Sequence, residues 1–109
     1  MPDVRSILRD LKADLKEALG SKLSEIILFG SYSRGDFTPA SDIDLLILIE
    51  GVLEKAETQR IDDLVAGYSL KYDVVISGLV YPAEAYHQFN TPFLQNVKNE
   101  GVAMSTTPP

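Results

Sequence analysis

Between residues 4 and 19, apolar side chains fall at Val4, Ile7, Leu8, Leu11, Leu15, Ala18 and Leu19. These spacings, mostly of three and four, lay one apolar stripe along a helix. Asp3 stands where an N-cap is needed and Gly20 where such a helix stops. After the polar turn SKLSE, the short β-branched run Ile26-Ile27-Leu28-Phe29 predicts a strand buried on both faces and ended by Gly30. A stretch rich in Gly, Ser, Thr and Pro runs from Gly30 to Ser41, and Ile43 to Ile49, broken only by Asp44, predicts a second buried strand with its stop at Glu50-Gly51. Ile61, Leu64, Val65 and Tyr68 lie at i, i+3, i+4 and i+7 and make residues 54 to 69 an amphipathic helix, with Glu54, Lys55, Glu57, Arg60 and Asp63 on its solvated side. Tyr72 to Ser77, containing Val74-Val75-Ile76, predicts the third strand. Pro82 opens a short turn or helix through Phe89, and Thr91-Pro92 sets a capping residue before a first-turn proline for a last helix ending near Gly101.

The resulting order, αβ(α)βαβα, is that of an α/β protein: helices packed on a small mixed sheet of three or more strands. With 109 residues, no repeat and no linker, one domain over residues 1–103 is expected, with 104–109 as a disordered tail. The 45% hydrophobic and 24% charged residues are those of an ordinary globular chain.

Charge narrows the partners. Ten Lys plus Arg against sixteen Asp plus Glu give a net charge of −6, so direct binding of nucleic acid, which draws its affinity from basic side chains on phosphates, is not expected. With no cysteine there is no disulfide, thiolate metal site or cysteine nucleophile. The charged start MPDVRSILRD carries no signal peptide, and no apolar run approaches the ~20 residues of a membrane span. A soluble, cytoplasmic protein is expected.

Asp44 is the anomaly. A carboxylate between Ile43 and Leu45 in a strand suited to a dry core costs several kcal/mol, roughly, unless it is paired or metal-bound. Side chains alternate along a strand, so Asp42 and Asp44 share a face with Cβ atoms roughly 7 Å apart. Asp73, just before Val74-Val75-Ile76, repeats the pattern, and three carboxylates converge if the second and third strands are neighbours. Oxygen ligands without histidine or cysteine select magnesium or manganese over zinc, and such a triad suits a two-metal platform. Taken singly, Asp42 can instead cap a turn and Asp73 can merely start a strand. The junction Gly30-Ser31 adds the complementary half, because Gly30 lets backbone approach a ligand and a helix opening at Ser31 would turn N–H groups and a hydroxyl toward a triphosphate. Arg34 can reach phosphate oxygens or pair with Asp36, and Ser41 can bind phosphate or cap the turn.

Gly30-Ser31, ten residues, then Asp42-Ile43-Asp44 is a pattern that arises by chance on the order of once in a thousand such chains. Through it the sequence resembles the DNA polymerase beta nucleotidyltransferase superfamily, most specifically over Leu28 to Ile49, LFGSYSRGDFTPASDIDLLILI. Within that superfamily it looks like a minimal nucleotidyltransferase (MNT), the antitoxin of a HEPN-domain toxin. The resemblance implies a protein adenylyltransferase that moves AMP from ATP onto a protein hydroxyl and so inactivates a HEPN-type ribonuclease in a hetero-oligomer. It implies two magnesium ions, with manganese as the alternative, on Asp42, Asp44 and Asp73, the catalytic residues. Gly30 and Ser31 would hold the triphosphate, with Arg34 and Ser41 beside them. The alternative is a nucleotidyltransferase-like module that neutralises its partner by binding alone. Tyr81, Tyr86, Phe89 and Phe93 crowd the C-terminal part as a partner surface or as packing under the last helix, and His87 is a surface or interface residue.

Overall fold

The computed structural model describes residues 3–35, 38 and 42–104. Helix α1 spans Val4–Leu19, with the Asp3 carboxylate accepting the Arg5 N–H at 3.1 Å and Gly20 as its C-cap. Its stripe of Ile7, Leu8, Leu11, Leu15 and Leu19 is buried, as the spacing predicts. Strand β1 covers Leu23–Phe29, followed by the short helix α2, Ser31–Arg34, and by strand β2, Ile43–Ile49. Helix α3 is Lys55–Tyr72, strand β3 Ile76–Pro82, helix α4 Ala83–Gln88, helix α5 Pro92–Glu100, and strand β4 the two residues Val102–Ala103. Thr91 caps α5 by accepting the Leu94 N–H, with Pro92 in the first turn.

The four strands form one mixed sheet in the order β3-β2-β1-β4. β1 is antiparallel to β2 and β4, and β2 is parallel to β3 through the α3 crossover. One face packs Ile26, Leu28, Ile43, Leu45, Ile47, Ile49 and Ile76 against α1 and Ile61 of α3. The other packs Ile27, Leu46 and Leu48 against Ala83 and Tyr86 of α4 and Leu94 and Val97 of α5. A register shift between Leu23 and Glu25 lets Leu23, five residues ahead of Leu28, join the first core. That bulge carries the strand back into the segment read as a polar turn.

Two expectations are corrected. The third strand is Ile76–Pro82, not Tyr72–Ser77, because α3 runs on to Tyr72. Tyr68 and Tyr72, one helical turn apart, stack at 6.0 Å and both lie against the first core, which favours continued helix over the local β-branching of Val74 and Val75. Asp73 then ends the helix in the left-handed conformation (φ 53°), and the Val74 N–H closes on the Ser69 carbonyl at 3.0 Å. Met104, read as the start of the tail, is buried, and its N–H donates to the Ile26 carbonyl at 2.8 Å. Residues 105–109 lie outside the described residues.

Met104 also meets Lys12, which is only 8% exposed. The Lys12 ammonium pairs with Glu25 at 2.8 Å and donates to the Met104 carbonyl, tying α1, β1 and the end of the chain together. Lys12→Met keeps the apolar stem and removes both contacts. Urea denaturation should show a loss of about 1–3 kcal/mol, the scale of charge-assisted hydrogen bonds with a buried partner left behind; an unchanged midpoint would mean that the pair contributes nothing to the fold.

Candidate active site

The C-terminal end of β1 and the N-terminal ends of β2 and β3 lie at one edge of the sheet, as the strand directions require. Along β2, Asp44, Leu46 and Leu48 alternate onto the face covered by α4 and α5, so Asp44 continues that apolar row outward to the sheet's end. It stands opposite Phe29 on β1 and Ser77 on β3. Asp42 follows on the same face and is exposed, whereas Asp44 is half-buried. Burial pushes the Asp44 carboxyl above the usual carboxylate range, the negative charges of Asp42 and Glu100 push the same way, and Arg34 opposes them.

Gly30 closes the site from the β1 side. Its backbone is left-handed (φ +78°), and a Cβ placed on it would lie 2.5 Å from Asp44 Oδ2. Only glycine, without a side chain, permits this approach. The Gly30 carbonyl accepts the Ser33 and Arg34 N–H groups, each at 3.2 Å, and the Ser33 hydroxyl at 2.8 Å, which folds the chain into α2 immediately beyond.

Of the residues singled out from sequence, Gly30, Arg34, Asp42 and Asp44 are therefore brought together. Ser31 opens α2. Ser41 lies outside the described residues, as does Asp36, one of the alternatives for Arg34. Arg34 pairs with Glu100 at 2.9 Å.

Asp73 does not join the carboxylate pair. Parallel pairing begins at Ile43 with Ile76, three residues after Asp73, because that residue is spent on the α3 cap. It is exposed and is not among the groups that shift Asp44. Among the described residues, no three carboxylate or imidazole groups are gathered closely enough to hold one ion between them.

Sequence reasoning missed Glu100. This last residue of α5 accepts the Gly30 N–H at 3.1 Å as well as the Arg34 guanidinium. Nothing local marks it, since β4, which brings it into place, is only two residues long.

The C-terminal aromatics divide. Tyr86 is buried and Tyr81 packs beside it, whereas Phe93 meets Phe29 edge-on at 5.8 Å while remaining 41% exposed, and Phe89 is 57% exposed. His87 is exposed and rests its ring edge-on against Tyr86.

Two substitutions probe the contact between Gly30 and Asp44. Gly30→Ala should lower stability by about 1–2 kcal/mol from the left-handed backbone alone, and by more through the clash. Gly30→Ala with Asp44→Ala should cost less than the two losses added, because the second change removes the clashing atoms; strict additivity in thermal denaturation would show that they do not meet. Because its folded-state pKa is raised, ionised Asp44 disfavours the fold at neutral pH. Asp44→Asn should accordingly hold or raise the melting temperature there. The advantage should vanish as pH falls below the ordinary carboxylate value, where wild-type Asp44 is neutral.

The nucleotidyltransferase domain family matches residues 8–103. A protein of Methanocaldococcus jannaschii named "Putative protein adenylyltransferase" is 39% identical over 100 residues, 92% of this chain and 97% of its own length. Among solved structures, a toxin-antitoxin crystal structure with AMP-PNP superimposes with a TM-score of 0.62 at 24% identity, covering 91% of this chain and 73% of that one. A chain of the complex between a tri-AMPylated HEPN toxin of Shewanella oneidensis and its MNT antitoxin gives 0.57 at 21% identity, covering 95% and 74%. At these identities the structural likeness speaks for the fold, and the family match speaks for the class. Gly30-Ser31 and Asp42-Ile43-Asp44 meet at one edge of a mixed sheet inside that matched span, and the chain belongs to the nucleotidyltransferase family.

Proposed function

We propose that this chain transfers AMP from ATP to a hydroxyl of a partner protein, a HEPN-domain toxin which the modification silences, within a cytoplasmic hetero-oligomer. The observation that carries the reading is the pair Asp42 and Asp44 on one face at the sheet's end, with Asp44 held against the Gly30 backbone so tightly that no side chain fits between. The chemistry is supported by the relative named for protein adenylyltransfer. The toxin-antitoxin structure with AMP-PNP and the complex of an AMPylated HEPN toxin with its MNT antitoxin, each containing a chain of similar fold, support the nucleotide and the partner.

The donor set fits a divalent cation. Asp42 and Asp44 are hard oxygen donors, the charge of Asp42 disfavouring ionisation of Asp44, and magnesium or manganese is commonly held by one or two carboxylates with phosphate and water completing the shell. Such a cation, when bound, neutralises phosphate charge and favours pyrophosphate departure. The chain's own residues position the reactants. Asp44 is fixed by the packing of β2 and by Gly30. Arg34 and the Gly30 N–H offer donors to phosphate oxygens, and exposed Asp42 faces the open side from which a protein hydroxyl must come. The hydroxyl oxygen bonds to the α-phosphorus, the bond to the bridging oxygen of pyrophosphate breaks, and the hydroxyl proton passes to water. Positioning accounts for much of the rate.

Magnesium with ATP should raise the melting temperature more than magnesium alone, since the phosphates supply the missing ligands. Mass spectrometry of a co-expressed HEPN partner should show added AMP with the wild type and none with Asp42→Ala plus Asp44→Ala. If that double substitution still neutralises an unmodified toxin, binding alone is the function.

A further inference from the structure

The antiparallel register between β1 and β4 pairs Ile27 with Ala103 and Leu28 with Val102. Continued by two residues, it sets Glu100 opposite Gly30. Gly101 makes this possible, since a Cβ there would come within 2.6 Å of Ile27 Cγ2. The end of α5 is thus pinned over the end of β1, and the carboxylate of Glu100, whose side chain is 23% exposed, spans the Gly30 N–H at 3.1 Å and the Arg34 guanidinium at 2.9 Å.

This placement has no benefit for the helix. A carboxylate in the last turn faces the negative end of the helix dipole, and here it also stands close enough to Asp44 to disfavour that group's ionisation. Nor does Glu100 join Asp42 and Asp44 as a third metal ligand, since among the described residues no three such groups gather around one point. What it does have is one oxygen on a backbone donor and the other on a guanidinium, the arrangement of a phosphate oxygen pair.

We propose that Glu100 is a positioning residue that occupies the phosphate-binding donors of the site, Gly30 N–H and Arg34, and that a nucleoside triphosphate binds by displacing it. The inference rests on the nucleotidyltransferase reading above. In the free protein Glu100 keeps both donors paired and oriented; in the complex the phosphates take both, and the carboxylate turns to solvent. Glu100 thereby lowers affinity for every nucleotide and selects for ligands with enough phosphate charge to replace it on both donors at once. Contact and nucleotide are mutually exclusive, so each weakens the other by the same factor.

Titration calorimetry of ATP with magnesium against wild type, Glu100→Gln and Glu100→Ala tests this. Glu100→Ala should bind about tenfold more tightly than wild type, equivalent to about 1.4 kcal/mol, and Glu100→Gln, which keeps an acceptor for Gly30 without the charge, should fall between. Without nucleotide the alanine variant should melt below wild type, and saturating magnesium-ATP should close that gap, because wild type has by then lost the contact too. A purely structural Glu100 would lower both melting temperatures equally and leave affinity unchanged. Wild-type binding with no gain in either folded variant overturns the inference and leaves the nucleotidyltransferase reading standing. Should the alanine variant fail to fold, the glutamine variant decides by the same comparison. If neither wild type nor variant binds magnesium-ATP, the reading and the inference fall together.

Discussion

Everything at the site depends on keeping a carboxylate at the end of a strand that is otherwise hydrocarbon. Asp44 extends the row that Leu46 and Leu48 begin, and its charge is disfavoured by burial before any neighbour acts. The fold meets this cost with position rather than with a partner carboxylate or a buried ion pair. β2 places Asp44 where the sheet opens, Gly30 brings backbone to it without a side chain, and Arg34 supplies a compensating positive charge. Moved two residues inward, the same carboxylate would lie where Leu46 is wholly buried, and desolvation there would exclude the charge altogether.

The two faces of the sheet divide the labour. α1 and α3 seal one with branched and leucine side chains and supply most of the hydrophobic stabilisation. α4 and α5 cover the other less completely, leaving Phe89 and Phe93 partly in solvent and the Asp42 end open. Stability and access are thus assigned to opposite sides of four strands. Among the described residues no helix is long and apolar enough to cross a membrane.

The charge balance around Gly30 steadies the end of β1. Glu100 and Arg34 pair beside two aspartates, an opposite-charge contact in a chain with a net charge of −6. The arrangement relies on β4, because two residues of pairing and the close packing at Gly101 are what carry the end of α5 to the end of β1.

By itself the sequence determined the features whose physics is local. The stripe of α1, the apolar run of β2 broken only by Asp44, the Thr91-Pro92 start of α5, and the motif of Gly30-Ser31 with Asp42-Ile43-Asp44 are each legible because burial and capping act over a few neighbouring residues. Tertiary structure alone decided where α3 stops. Val74 and Val75 favour a strand by themselves, but the core contacts of Tyr68 and Tyr72 prolong the helix, spend Asp73 on its cap and keep it from the other two aspartates. Tertiary structure likewise decided that Glu100, seventy residues from Gly30 in the chain, accepts the Gly30 N–H. The two-residue strand that brings them together derives its stability from the sheet it joins, and has too little sequence of its own to carry a signal.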